Sequence, residues 1–408
     1  MRKSAVQLSA ALVAALSAAS ADMPEKPQIF TMSLDDGVLT GPGAALILDR
    51  LPSAQFILVG EDHGYADPPE IALAIAKAAR KFGVVNHVAE IGPITDEWVE
   101  PILAGGGPDD LAAALEGQPL AVPFLVMRED AELADYFIDN ARRRSDALWG
   151  VDQEFIGSAT IHFETLRARA KSAAAKALAD SVLNAERDAL AAGNLGALFM
   201  SSATPERFTE LKGAFAGDKP ALAVISALEE SAAIYRAYNA GMNYASNADR
   251  IALMRRQFLD QYSKADRRPA RALFKFGAIH LGRGTTFLNT FDLGSLTDGV
   301  AAGNGLDALR ILILPLEGRQ TKIMPSPEGF FSTVDAKSKD AAKLLEAIGV
   351  KAEDIPADGY AVIPLEPLRR ALEEAGLSKL GADTRFFILG YDYLVTTRGA
   401  RAANPLAR

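Results

Sequence analysis

Short apolar runs of strand length alternate along this chain with helical stretches, and that alternation restricts the fold more than any other feature. Residues 54–59 (AQFILV) stop at Gly60. Pro68 and Pro69 suit a first helical turn, and Ile71, Ile75, Ala78 and Ala79 mark one face of a helix over 70–80. After Gly83, residues 84–89 (VVNHVA) give a second strand. Residues 104–123 read as a Gly-rich loop and a short helix, and 130–143 as a helix with Leu133, Phe137 and Ala141 on one side. Residues 147–151 (ALWGV), 271–278 (RALFKFGA) and 310–314 (RILIL) are the third, fourth and fifth strands. Residues 359–364 (GYAVIP) form another, with a helix over 365–375, and 386–396 (FFILGYDYLVT) close the chain as an edge or penultimate strand. Such a pattern predicts an α/β fold: a mostly parallel central sheet flanked by helices.

The middle differs. From about 163 to 265 the chain is rich in Ala, Leu, Arg and Glu, with breaks at Gly193-Asn194, at 201–205 and near 217–220. It reads as an inserted helical subdomain within a single α/β hydrolase-like domain spanning 22–408. Residues 22–43, rich in Pro, Asp and Gly, read as a lead-in arm. Residues 1–21 have the form of a signal peptide: Arg2 and Lys3, an apolar core over 5–16, then Ala19-Ser20-Ala21 as a small-x-small cleavage site. A twelve-residue core is too short to span a bilayer as a helix. No later stretch is apolar and uncharged for long enough to be a membrane span, so a periplasmic or secreted protein is expected.

The net charge of −9 and the lack of a clustered cationic run argue against a nucleic-acid partner. With no cysteine, thiolate nucleophiles and cysteine-ligated metal centres are excluded. No G-x-S-x-G elbow is present, which disfavours a serine nucleophile.

Four of the strands are followed at once by ionisable residues. Gly60-Glu61-Asp62-His63-Gly64 follows the first, Glu90 the second, Asp152 with Gln153 and Glu154 the third, and His280 with Gly282-Arg283-Gly284 the fourth. In open α/β sheets, ligands bind outside the carboxyl ends of the strands. If these strands are parallel neighbours, Glu61, His63, Glu90 and His280 meet in one crevice as the candidate catalytic groups. Asp152, Arg128 and Arg283 are candidates for substrate binding, the arginines by holding an anion or pairing with a carboxylate. Lys275 lies inside a strand and is expected to pair or snorkel. His87 and His162 lack a comparable setting.

Two mechanisms fit these residues. In the first, His63 or His280 is a general base that activates water toward an ester or lactone, with no cofactor required. Glu61 or Glu90 would fix its tautomer, and an arginine or the second histidine would stabilise the oxyanion. In the second, a divalent metal bound by His63, Glu90 and His280 polarises the substrate and its water. Either way the partner is a small molecule.

The stretch Phe56-Ile57-Leu58-Val59-Gly60-Glu61-Asp62-His63-Gly64 resembles the first motif of the erythromycin esterase-like superfamily. That wider group takes in ChaN-like haem-associated proteins and the TraB/TIKI proteins. Val88-Ala89-Glu90 resembles its second element, and Gly150-Val151-Asp152 a later strand end. Asn247 to Arg250 with Met254 is similar to the helix before its last His strand, and Lys275-Phe276-Gly277-Ala278-Ile279-His280 with Arg283-Gly284 to its final element. The resemblance covers roughly residues 54–290. It implies an α/β core with a helical insertion, and water-mediated hydrolysis using His63, Glu61, Glu90 and His280. The ChaN-like branch implies haem or ligand binding instead, and the TraB/TIKI branch metal-dependent proteolysis. Asp62 replaces the usual Ser before the first His of macrolide esterases, and Tyr65-Ala66-Asp67-Pro68-Pro69 replaces a basic segment. Both departures argue against macrolide specificity.

Overall fold

The computed structural model describes residues 27–141, 147–326 and 329–406. The expected export signal at 1–21 lies outside the described residues. The core is one nine-stranded sheet. In chain order its strands are β1 (Phe30–Asp35), β2 (Val38–Thr40), β3 (Ala54–Glu61), β4 (Val84–Ala89), β5 (Leu148–Gly150), β6 (Arg271–Gly277), β7 (Asp307–Ile313), β10 (Tyr360–Pro364) and β11 (Tyr393–Thr396). The two remaining strands, β8 (Glu317–Ser326) and β9 (Gly329–Lys337), form a separate hairpin. Across the large sheet the order is β2-β1-β10-β11-β7-β3-β6-β4-β5. The six strands from β11 to β5 are parallel, and β10, β1 and β2 add an antiparallel margin.

The central strands are buried on both sides, which is why they read as unbroken apolar runs. Alternate side chains serve two separate cores. Ile57, Val59 and Leu273 face a layer that includes helices Asp67–Ala79, Pro93–Ala114 and Arg128–Asp139. Phe56, Leu58, Phe274 and Phe276 face the other side, with Met254 and Phe258 from helix Asn243–Lys264. Residues 159–264 are helical wherever they are regular, as their composition predicts. This helical stretch buries a third cluster of its own around Phe163, Phe199, Phe208 and Leu228. No helix among the described residues is long and apolar enough to cross a membrane.

Three sequence expectations need correction, and one further element carries no sequence signal. Residues 30–40 are not a featureless arm but the β1–β2 hairpin, turned at Asp36 and Gly37 with φ of 49° and 74°. Asp-Gly is the residue pair such a turn demands, but only Met32 and Leu39 bury an apolar side chain, so the strand signal is faint. Residues 93–114 hold two helical segments separated at Gly106 and Gly107, whose φ/ψ are not helical, so the expected Gly-rich break and short helix are present and a further helix precedes them from Pro93. Residues 386–396 divide into the end of helix Ala382–Gly390 and the strand β11. An apolar run such as Phe386-Phe387-Ile388 has no periodicity to separate helix from strand. β11 is also interior, between β10 and β7, not an edge or penultimate strand. Finally, the β8–β9 hairpin is largely exposed along β9 and so carries no alternating apolar pattern.

Phe258 joins the helical stretch to the sheet. Its ring centroid lies 5.7 Å from Phe56, 5.3 Å from Phe274 and 6.3 Å from Trp149. Phe258→Ala should therefore cost about 3–5 kcal/mol in denaturant unfolding. A loss below about 1 kcal/mol would mean that this seam does not hold the helix to the sheet.

Candidate active site

β3, β6, β4 and β5 are consecutive neighbours in the sheet and point the same way. Their carboxyl ends bring Glu90, Asp152 and His280 to one crevice, as the sequence predicts, while Glu61 is buried behind His63 and does not line it. His63 sits two residues beyond β3, in a turn that needs Gly64: its φ is +89°, and a Cβ there would meet the Thr321 carbonyl oxygen at 2.1 Å. Late parts of the chain hold that turn. Gln320 Nε2 donates to the His63 carbonyl at 2.7 Å, and the amides of Thr321 and Ala403 donate to the Gly64 carbonyl at 2.9 and 3.0 Å.

Each histidine is backed by a carboxylate. His63 Nδ1 lies 2.7 Å from Glu61 Oε1, and His280 Nδ1 lies 2.8 Å from Asp292 Oδ2. Both rings then turn Nε2 toward Glu90: His63 Nε2 is 3.6 Å from Oε2, and His280 Nε2 is 3.7 Å from Oε1. Glu61, Glu90, His280 and Asp292 are buried, while the His63 side chain is 35% exposed. His63 is thus the histidine more open to the cavity, and it packs against Phe124 with ring centroids 4.6 Å apart. The Gly277 amide donates to Glu90 Oε2 at 2.7 Å, and a Cβ on Gly277 would lie 3.1 Å from His63 Nε2.

Burial opposes the charged form of both rings, but their carboxylate partners win. The hydrogen bond to Glu61 and the field of Glu90 raise the His63 pKa above its ordinary value. Asp292, with help from Glu90, raises that of His280 against burial and the repulsion of Arg250.

Arg250, on helix Asn243–Lys264, reaches across from the helical stretch. Its Nε donates to Asp152 Oδ1 at 2.9 Å, and one terminal nitrogen bridges Asp152 Oδ2 at 2.5 Å and Glu90 Oε1 at 3.0 Å. Burial would push the Asp152 pKa up, but Arg250 holds it below the usual carboxylate range. Beneath the crevice, Lys275 of β6 is buried between Glu61 and Asp130, 2.5 Å from each.

These groups line a cavity of about 490 Å³. Its apolar wall includes Phe124, Phe155, Tyr235, Tyr238 and Ile279, and its polar floor His63, Glu90, Asp152, Arg250 and His280. The two arginines proposed from sequence for substrate binding lie elsewhere. Arg128 starts a helix and pairs with Asp109 at 2.8 Å. Arg283 pairs with Asp392 at 2.5 Å and lines a different cavity with Arg50 and Arg369. Sequence reasoning did not single out Asp292 as a site group, and Arg250 appeared only within the motif resemblance. Asp292 caps helix Leu293–Gly303, and its Oδ1 takes the Leu293 amide, so a capping role explains it locally. His87 is buried with its pKa pushed down to about 3, chiefly by desolvation. His162 pairs with Glu154 at 2.8 Å. Among the described residues no group of three or more His, Asp or Glu side chains is arranged to hold a metal ion.

The sequence matches no protein-family model and no curated protein. Three solved structures are similar in fold. A variant of erythromycin esterase EreC in its open conformation has a TM-score of 0.56 at 14% identity, covering 91% of this chain and 98% of its own. The chain shares its mixed α/β fold with that structure. A Bacillus cereus protein scores 0.54 at 13% identity, covering 92% and 96%, and a succinoglycan biosynthesis protein 0.51 at 12%, covering 88% and 92%. At such identities the likeness concerns the chain's path and not its chemistry.

Arg250→Leu would leave Asp152 and Glu90 buried without their cation, at an expected cost of about 3–5 kcal/mol in unfolding experiments near neutral pH. Because the folded pKa of Asp152 is lowered, the pair stabilises above the unfolded carboxylate pKa and loses that contribution as pH falls through the lowered folded value. The gap between wild type and variant should therefore narrow in acid. A gap independent of pH would contradict the ion-pair assignment.

Proposed function

We propose that this chain is an exported hydrolase that activates water with His63 to cleave an ester or lactone. The observation that carries the reading is the pair of carboxylate-backed histidines whose Nε2 atoms flank one buried carboxylate, at 3.6 and 3.7 Å, beside the cavity. Similarity in fold to an esterase is consistent with it. Export rests on the signal-like residues 1–21.

In this reading Glu61 accepts the Nδ1–H of His63, which leaves Nε2 as the base. A water beside Nε2 gives up a proton as its oxygen attacks the carbonyl carbon, and the carbonyl π pair moves onto oxygen. His280 donates Nε2–H toward the developing oxyanion or the leaving oxygen, and Asp292 stabilises its protonated form. On collapse the carbon–oxygen bond breaks, and the departing alkoxide takes a proton from an imidazolium. Glu90 faces both Nε2 atoms, so it stabilises positive charge on either ring. Arg250 keeps that carboxylate compact and oriented. Glu90 is a poor ligand for a divalent cation here, because Arg250 engages Oε1 and the Gly277 amide engages Oε2.

His63→Ala and His280→Ala should each lower kcat/KM on an ester or lactone substrate by about 10²–10⁴-fold while leaving the protein folded. Full activity in either folded variant would sink the reading. The base works neutral, so kcat/KM should rise with pH through a His63 pKa above the ordinary 6.5. Glu61→Gln removes a group that raises that pKa, and its acid limb should move to lower pH. An unmoved limb would show that Glu61 does not act on the base.

A further inference from the structure

The buried lysine beneath the site is not used in the chemistry just described, yet it touches the carboxylate that orients His63. Its placement follows from strand register. Val59 pairs with Lys275 across β3 and β6, and side chains two apart share a face. Lys275 therefore projects on the same side as Glu61, toward helix Arg128–Asp139, whose Asp130 meets it. This is the apolar face of Ile57, Val59 and Leu273, where an unpaired ammonium would be costly to bury.

One oxygen of Glu61 makes all the contacts. Oε1 receives Lys275 Nζ at 2.5 Å and lies 2.7 Å from His63 Nδ1, while Oε2 is buried without a hydrogen-bond partner. Lysine is a donor only, so Oε1 is an acceptor toward it. A second carboxylate, Asp130, competes for the same ammonium. Burial raises both carboxylates, but the outcome is unequal: Glu61 ends below its ordinary pKa, whereas Asp130 is pushed up to about 6.

We propose that Lys275 is a positioning residue: by donating to the Glu61 oxygen that receives His63 Nδ1–H, it fixes the His63 tautomer whose free Nε2 faces Glu90. Without the ammonium, Asp130 takes up a proton first, and Glu61, buried and left without a cation, draws the Nδ1 proton onto itself while Nε2 takes one from solvent. A protonated Glu61 donates to His63 Nδ1, and the ring carries its proton on Nε2. The nitrogen facing the cavity is then no longer a base. The inference rests on the hydrolase reading for its consequence but not for its observation.

The test is imidazole ¹⁵N NMR of Lys275→Met at a pH where His63 is neutral, with its signals assigned by their loss in His63→Ala. Wild type should show the Nδ1–H form, and Lys275→Met should shift toward Nε2–H. kcat should fall by roughly 10²-fold or more with KM little changed, since a misplaced ring proton disables a base without altering the cavity. If Lys275→Met does not fold, the Lys275→Met/Asp130→Asn double variant removes the second orphaned carboxylate and is read instead. A folded variant that keeps the Nδ1–H form overturns the proposal, whatever its stability. The NMR result needs no substrate, so a wild-type protein without esterase activity would defeat the hydrolase reading and leave this test decisive.

Discussion

The carboxylate of Glu90 is the point on which the site is built. It stands at the end of an inner strand, where a buried charge is expensive unless it is partnered on all sides. Its partners come from three parts of the chain: the Gly277 amide at the end of β6, Arg250 from the helical stretch, and the two imidazoles that face its oxygens. Satisfying one carboxylate thus registers the strand ends against each other and docks the helical stretch onto the sheet.

Around that point the charges are layered. The cavity meets His63, Glu90, Asp152, Arg250 and His280. Behind them stand Glu61 and Asp292, each holding an Nδ1, and behind Glu61 stand Lys275 and Asp130. Each layer restricts the rotamer or the proton position of the one in front, which is how a rigid sheet makes a precise site from mobile side chains. The C-terminal third takes part by bracing the His63 turn through Gln320, Thr321 and Ala403. Among the described residues, none beyond His280 lines the cavity.

Much of this was legible in the sequence because parallel strands are read twice, once as apolar runs and once by what stops them. Glu61, His63, Glu90, Asp152 and His280 all follow such runs directly, and the sheet brings them together. Arg250 and Asp292 were harder. Arg250 lies mid-helix among other arginines, and Asp292 lies twelve residues past His280 at a helix start, where an Asp needs no further reason. Arg283 stood in a promising loop, but the loop turns it toward Asp392 and away from the crevice. The β8–β9 hairpin and the β1–β2 margin bury too few apolar side chains to announce themselves. β11 escaped its true place because the apolar run before it is helical.

The central claim is that water, and not a carboxylate of the protein, attacks the substrate. It is tested most directly by repeated turnover of an ester or lactone in H₂¹⁸O, followed by mass analysis of the product acid and of the peptide bearing Glu90. The account predicts one solvent oxygen in the newly formed carboxyl group and none in Glu90. Label accumulating in Glu90 would mean that this residue is the nucleophile, and would contradict the account.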